Sequence, residues 1–236
     1  MRTLVNTLVL IVSTSLLGAA QAASTSQPTT MPPVHKPAPA ASAEPVAIIH
    51  TTAGDLHCTL FPKIAPIGVD NFIGLATGTK DWTNPVSHAK KHGVPLYDGT
   101  VFHRVIPEFM IQGGDPAGNG NGDPGYQFKN ETSSTLTFDR PGRLAYANSG
   151  PDTNGSQFFI TEDVAHSRHL TGSYTIFGQC DDAAVELVKQ IARMTRDPSN
   201  DRPFHPVKIM HIEIIGAGAS TKSAPKPSAS VKKPVG

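Results

Sequence analysis

Two short runs of alternating hydrophobic and polar residues open the patterned part of the chain, at 46–52 and 56–61, and Ala53-Gly54-Asp55 separates them. Such runs around a short turn predict a β-hairpin. Further short apolar runs, each broken by Gly, Pro, Asn or Asp, lie at 100–106, 109–112, 144–147, 157–161 and 174–177, and residues 207–214 alternate again. This spacing favours an antiparallel barrel or sandwich over units in which strands and helices alternate.

Two segments have helical spacing instead. Between Pro66 and Gly78 the apolar positions are Val69, Phe72, Ile73 and Ala76. Proline at the start and glycine just past the end are typical of a helix. A second helix is expected over 182–194, with Asp181 or Asp182 as its N-cap. The pattern as a whole predicts a mainly β protein, a β-barrel covered by two helices.

The first 22 residues have the features of a secretory signal peptide. Arg2 gives a basic start, the apolar run 8–17 follows, and Ala20-Gln21-Ala22 resembles a cleavage site. The apolar run is shorter than the ~20 residues of a spanning helix. We expect cleavage after Ala22 and no membrane insertion afterwards, and an uncleaved anchor is the alternative.

Composition divides the rest of the chain. Residues 23–45 are mostly Ala, Pro, Ser and Thr, and residues 217–236 are similar with four added lysines. Neither stretch can bury enough apolar surface to offset the entropy of ordering. We therefore expect a Pro/Ala-rich linker at 23–45, a folded domain at 46–216 and a disordered basic tail at 217–236.

The net charge of +1 conceals two opposite contributions. The predicted domain has 14 basic and 18 acidic residues, a net charge of −4, whereas the flanking segments are basic. An acidic domain gives no support to nucleic-acid binding. The two cysteines, Cys58 and Cys180, could form a disulfide after export or remain buried thiols, and the sequence leaves both options open.

The sequence gives little support to a serine-hydrolase site or to a histidine metal site. Ser156 lacks the flanking glycine pattern of a hydrolase nucleophile. The histidine pairs His88/His92 and His166/His169 have no third ligand at a spacing typical of metal sites. We therefore expect no metal and no cofactor.

The segment 101–115 has a different character. If it is extended, Phe102, Arg104 and Ile106 share one face, and Met110 and Gln112 share another. A fixed cation and an amide are thus interleaved with large apolar groups. A second segment, 147–160, again combines amides with aromatic residues.

Together these segments resemble the cyclophilin family of peptidyl-prolyl isomerases. The motifs are Phe102-His103-Arg104, 109–115 (FMIQGGD) and 154–160 (NGSQFFI), and the resemblance covers about 46–216. It implies a closed eight-stranded antiparallel β-barrel capped by two helices. It also implies an enzyme that accelerates rotation about X-Pro bonds of unfolded or extended polypeptides, without a cofactor and as a monomer.

The resemblance assigns roles to particular residues. Arg104 matches the catalytic arginine, and Gln112 matches the glutamine beside it. Phe109, Met110, Phe159 and Leu170 match the proline pocket, Ala147 and Gln157 the groove, and Asn148 the residue whose backbone pairs with the peptide. Two positions depart from the best-known eukaryotic pattern, because His169 replaces a tryptophan and Tyr174 replaces a histidine. Since that tryptophan contacts cyclosporin, we expect weak inhibition by this drug.

Two functions of different class remain at this stage. One is an exported isomerase that assists folding, most simply in a bacterial periplasm, with secretion as the alternative. The other is a proline-peptide binding module or holdase without significant turnover.

Overall fold

The computed structural model describes residues 44–216. The expected signal peptide, nearly all of the linker and the basic tail lie outside these residues. Within the described part of the chain, none of the helices is long and apolar enough to cross a membrane.

Eight strands form one antiparallel sheet. They are β1 (Val46–Thr51), β2 (Gly54–Leu60), β5 (Arg104–Ile106), β6 (Met110–Gly113), β7 (Arg143–Tyr146), β8 (Phe158–Thr161), β9 (Ile176–Cys180) and β10 (Ile209–Ile215). Their order across the sheet is β10-β1-β2-β9-β7-β8-β6-β5. A mainly β protein with eight antiparallel strands is thus confirmed.

Main-chain hydrogen bonds link the two ends of this sheet. Just before β5, Val101 forms an isolated antiparallel bridge with Lys208. Gly99 N donates to Ile209 O at 2.8 Å, and Phe102 N donates to Val207 O at 3.0 Å. The sheet therefore curls until its edge strands approach each other, as a barrel requires.

Both predicted helices are present. Helix α1 (Pro66–Thr77) starts with proline and ends at Gly78, whose φ of 74° is left-handed. A Cβ on Gly78 would lie 2.8 Å from the carbonyl carbon of Val94, so only glycine fits there. Helix α2 (Asp182–Ala192) ends two residues earlier than expected, and its N-cap is Asp181, whose Oδ1 accepts from Ala184 N at 2.8 Å.

Residues on alternate positions of the strands belong to two separate hydrophobic clusters. The larger one fills the interior and includes Val105, Ile111 and Phe158 together with residues of both helices. The smaller one consists of Met110, Phe138, Ala145, Phe159, Leu170 and Ile176. Because neighbouring strand residues point to opposite faces, the smaller cluster lies on the other face of β6, β7 and β8.

The option left open for the cysteines is resolved by a disulfide. Cys58 of β2 and Cys180 of β9 are directly opposite each other in the ladder, and they are bonded. Both are buried. The bond connects positions separated by 122 residues in sequence.

Three details differ from the sequence prediction. Met110 and Gln112 do not lie on a different face from Arg104 and Ile106, because the ladder places them directly opposite Ile106 and Arg104 on the same face of the sheet. Phe102 does not share the face of Arg104, because β5 begins only at Arg104 and Phe102 packs in the interior, 6.1 Å from the ring of Phe158. A small hairpin of β3 (Trp82–Thr83) and β4 (Lys90–Lys91) was not expected, since its two-residue strands carry no recognisable alternation.

Candidate active site

A row of directly opposed residues crosses four neighbouring strands. Arg104 of β5 is opposite Gln112 of β6, which is opposite Phe159 of β8, which in turn is opposite Ala145 of β7. Residues opposed in this way lie on the same face of a sheet. The ladder thus brings the expected cation, amide and aromatic ring together, although they are far apart in sequence.

A cavity of about 130 Å³ lies over this row. Its lining consists of Arg104, Phe109, Met110, Gln112, Ala147, Asn148, Phe159, Leu170 and Tyr174. These are nine of the eleven expected site residues, and the remaining two are Gln157 and His169.

The apolar side of the cavity is rigidly built. The Phe159 ring is stacked on Phe138 with centroids 5.8 Å apart, and Tyr174 meets it edge-on at 5.5 Å. Met110 and Leu170 are nearly buried around it, at 2% and 7% exposure. Such a pocket is suited to a small apolar ring.

An amide pair lies between this cavity and a second one. Gln112 Nε2 donates to Gln157 Oε1 at 2.9 Å. Gln157 Nε2 in turn donates to the carbonyls of Gly120 and Gly122, at 3.0 and 2.8 Å. The orientation of Gln112 is therefore set, and its Oε1 faces away from Gln157 as an acceptor. Gln157 lines the second cavity, of about 220 Å³.

The loop that supplies these carbonyls is held by a buried carboxylate. Asp115 accepts hydrogen bonds from the backbone N–H groups of Ala117, Asn119 and Gly120, at 2.6 to 2.9 Å. Because Asp115 fixes the loop, the glycine-rich segment 118–122 has a definite role in supporting Gln157.

The Arg104 guanidinium combines partial exposure with a fixed charge partner. Its side chain is 42% exposed, and its Nε lies 3.6 Å from Asp201 Oδ2. Within residues 44–216 no side-chain hydrogen bond involves this guanidinium, so its terminal nitrogens keep their donors for a bound molecule.

Two other expected residues flank the pocket. His169 is stacked on Phe109 with ring centroids 6.2 Å apart, so it supports the pocket wall from outside. The Asn148 side chain donates to Ser173 O at 3.1 Å. Its side chain is thus engaged by the protein, which leaves its backbone as the part available for pairing with a peptide.

His103, the residue before Arg104, is 5% exposed. In the described part of the chain neither of its ring nitrogens has a hydrogen-bond partner. Burial lowers its pKa from the ordinary value, and the Asp115 carboxylate opposes this effect only in part. Near neutral pH this ring is therefore uncharged.

Sequence reasoning missed three residues that support the site: Asp201, Asp115 and Phe138. Asp201 lies about a hundred positions after Arg104, and nothing in its local pattern distinguishes it from other loop acids. Asp115 was part of a motif, but its contact with the following glycine-rich loop was not inferred. An apolar run around Phe138 was not recognised, because the residue lies outside regular strands.

Comparison with protein families identifies one model that matches residues 46–214, described as "Cyclophilin type peptidyl-prolyl cis-trans isomerase/CLD". The match covers nearly the whole described chain.

Two curated relatives match this chain at high identity over most of their own length. Peptidyl-prolyl cis-trans isomerase A of Mycobacterium tuberculosis is 51% identical over 168 residues, which cover 71% of this chain and 91% of the relative. Peptidyl-prolyl cis-trans isomerase B of Streptomyces anulatus is 48% identical over 169 residues, covering 71% and 95%.

Among solved structures, a Cryptosporidium parvum cyclophilin type peptidyl-prolyl cis-trans isomerase matches with a TM-score of 0.60 and 34% identity, over 72% of this chain and 96% of that one. A second structure of that protein, in the presence of the dipeptide Ala-Pro, matches with a TM-score of 0.59 and 33% identity, over 71% and 96%.

Proposed function

The chain belongs to the cyclophilin-type peptidyl-prolyl cis-trans isomerases and catalyses rotation about X-Pro bonds, and we propose that Arg104 is its catalytic residue. The main support is the position of the Arg104 guanidinium, which lines the same cavity as the apolar groups around Phe159. A proline ring in that cavity would place its nitrogen within reach of a fixed cation.

The chemical problem is rotation about a bond with partial double-bond character. The barrier is about 18–20 kcal/mol, and the uncatalysed step takes roughly 10–100 s at 25 °C. A turnover of about 10–10³ s⁻¹ requires a barrier lower by about 3–7 kcal/mol. Since no covalent bond breaks, neither a nucleophile nor a metal is needed.

A hydrogen-bond donor to the prolyl nitrogen lowers that barrier, because it competes with the amide resonance that causes it. As the bond twists, the nitrogen lone pair leaves the amide resonance and becomes a better acceptor. The Arg104 guanidinium, which does not lose its proton in proteins, then binds the twisted state better than either planar state. One hydrogen bond to a charged group contributes roughly 1.5–3 kcal/mol.

The pocket supplies the remainder by holding one half of the bond still. Phe159, Met110 and Leu170 enclose the ring, so the acyl side turns while the proline stays in place. The free Oε1 of Gln112 is oriented by Gln157 and can accept from the Arg104 guanidinium, which keeps the cation aimed at the nitrogen.

Proline-containing extended polypeptides are the proposed substrates. The cavity is lined both by polar groups, among them Gln112 and Asn148, and by apolar groups, among them Met110 and Phe159. This arrangement fits a peptide backbone with one small apolar ring. The related protein studied in the presence of Ala-Pro supports the same substrate class.

Export is proposed as well. The basic start, apolar run and Ala-Gln-Ala site of residues 1–22 support it, and so does the Cys58–Cys180 disulfide, because such bonds persist in oxidising compartments. We place the enzyme in a periplasm or outside the cell, where it assists the folding of exported proteins. N-terminal sequencing of protein recovered outside the cytoplasm should begin at Ala23, and an intact Met1 there would contradict cleavage.

A protease-coupled proline assay combined with peptide-binding measurements separates an enzyme from a binding module. The Arg104→Ala variant should bind a proline peptide within a few-fold of wild type, while kcat/KM falls by roughly 10- to 100-fold, as expected for one charge-assisted hydrogen bond. Equal rates in the two proteins would end the assignment of Arg104.

A further inference from the structure

Asp201 is placed directly behind Arg104, in the segment between α2 and β10. Its Oδ2 lies 3.6 Å from Arg104 Nε, and its Oδ1 lies 3.1 Å from the Nε of Arg196. The carboxylate is 25% exposed. One carboxylate thus lies between two guanidinium groups, and only that of Arg104 lines the proline cavity.

The backbone of Asp201 is tied to the strand that carries Arg104. Val105 N donates to Asp201 O at 2.9 Å, and Asp201 N donates to Asp197 O at 2.8 Å. Asp201 also has a φ of 60°, in the left-handed region that few residues other than glycine adopt. These two hydrogen bonds fix the position of the Asp201 carboxylate beside β5. They also hold the Asp201 backbone in a conformation that an unrestrained loop would not favour.

We propose that Asp201 is a positioning residue for Arg104. It attracts the Nε edge of the guanidinium, so the terminal nitrogens are directed toward the cavity. Arg104 needs such a restraint, because its side chain is long, has many rotamers and is 42% exposed. Arg196 occupies the other carboxylate oxygen, which prevents Asp201 from turning away from the site.

This proposal rests on the proposed role of Arg104. If Asp201 acts through Arg104, Asp201→Asn should lower kcat about 5- to 20-fold, since a small misplacement of a catalytic group has effects of this order. KM should change less than about two-fold, because Asp201 does not line the pocket. In the Arg104→Ala background, Asp201→Asn should cause no further loss.

A matched control is provided by Asp197→Asn. Asp197 is an acid of the same loop, its side chain accepts from Ser199 and Asn200, and it is not in contact with Arg104. This variant removes the same charge but keeps the backbone carbonyl that accepts from Asp201 N and a side-chain oxygen that can accept from Ser199. It should therefore retain the wild-type kcat. Melting temperatures of both variants show whether the loop remains folded.

A spectroscopic readout distinguishes positioning from general loop stability. In an ¹⁵N-edited spectrum, the Nε–H signal of Arg104 should shift and exchange faster with solvent in Asp201→Asn, and it should be unchanged in Asp197→Asn. Asp201→Glu, which keeps the charge, should restore part of kcat.

The outcomes separate the two proposals. If Arg104→Ala leaves kcat unchanged, the catalytic role of Arg104 is wrong, and the role of Asp201 is overturned with it. If Arg104→Ala is slow but Asp201→Asn is as fast as wild type, only the role of Asp201 is wrong. Equal losses from Asp201→Asn in the wild-type and Arg104→Ala backgrounds would indicate a structural role and overturn positioning.

Discussion

Gln112 and Gln157 form a directed pair, in which the amide nitrogen of Gln112 donates to the amide oxygen of Gln157 at 2.9 Å. Gln157 can accept in this way only because its own nitrogen is used by the carbonyls of Gly120 and Gly122. The orientation of the amide beside Arg104 is therefore determined by a loop more than 30 residues away in sequence from Gln157.

Gln157→Glu should disturb the relay, that is, the series of hydrogen bonds that runs from Gln112 through Gln157 to the carbonyls of Gly120 and Gly122. A carboxylate cannot donate to the two glycine carbonyls, and its charge would lie beside their oxygens. We expect kcat/KM to fall about 3- to 10-fold, as for the loss of one or two hydrogen bonds, and the melting temperature to fall by about 2–4 °C for each kcal/mol of stability lost. Asn121→Asp adds the same charge to the same loop without touching Gln112 and is the control. A fully active Gln157→Glu enzyme would show that the relay does not matter.

The disulfide should contribute to stability and not to catalysis. Cys58 and Cys180 lie on β2 and β9, whereas the catalytic row lies on β5, β6, β8 and β7. A cross-link over a long loop stabilises by about 2–5 kcal/mol, so the Cys58→Ala/Cys180→Ala protein should unfold at lower urea concentration.

The same variant should keep the wild-type kcat/KM at 25 °C. Dithiothreitol should reproduce the loss of stability in the wild type and have no effect on the variant. Identical urea midpoints with and without the reductant would contradict a stabilising bond.

His103 should make the fold sensitive to mild acid. Its pKa in the folded protein lies below the ordinary value of 6.5, so below pH 6.5 the unfolded chain binds more protons than the folded one. Stability is complete above that pH and declines as the pH falls through the folded-state pKa. Urea midpoints measured from pH 7.5 to 5 should decrease, and His103→Gln should flatten the decrease.

The carboxylate of Asp139 contributes to stability in a different pH range. The hydrogen bond from Arg143 lowers the pKa of Asp139, and the resulting stability is lost only at more acidic pH.

An NMR titration of the His103 ring tests its lowered pKa without any variant. A ring that titrates at or above 6.5 would contradict the effect of burial.

His169 should determine the response to cyclosporin. It takes the place of a tryptophan in the best-known eukaryotic pattern, and it is stacked outside the pocket on Phe109. We expect weak inhibition of the wild type and stronger inhibition of His169→Trp. Tyr174→His introduces the histidine that the eukaryotic pattern has at this position, and it should leave the inhibition by cyclosporin nearly unchanged. Complete inhibition of the wild type by a stoichiometric amount of drug would contradict this assignment.

Local patterns were sufficient for the elements that depend on them. The hairpin of β1 and β2, the two helices and an N-cap at Asp181 or Asp182 follow from alternation, helical spacing and capping chemistry, and the structure selects Asp181. The family resemblance, which rests on the motifs around Arg104 and Phe159, identified nine residues that line the cavity, because those motifs are long and occur in a specific order.

Relationships across the sheet could not be obtained in that way. The bond between Cys58 and Cys180 depends on the register of β2 with β9, which no local pattern encodes. Asp201 reaches Arg104 only because the loop before β10 returns to β5 through the Val105 hydrogen bond. The prediction that Phe102 shares the face of Arg104 was wrong because it placed the start of β5 too early in the sequence.

The claim that a directed donor, and not a positive charge alone, lowers the barrier is tested most directly on enzyme saturated with substrate. The cis–trans interconversion rate of a bound Ala-Pro peptide can be measured by NMR exchange spectroscopy for wild type, Arg104→Lys and Arg104→Ala. Lysine keeps the charge and loses the planar fork of donors, so both variants should interconvert the peptide at least about 10-fold more slowly than wild type. A lysine variant as fast as wild type, or an alanine variant with an undiminished bound-state rate, would contradict the account.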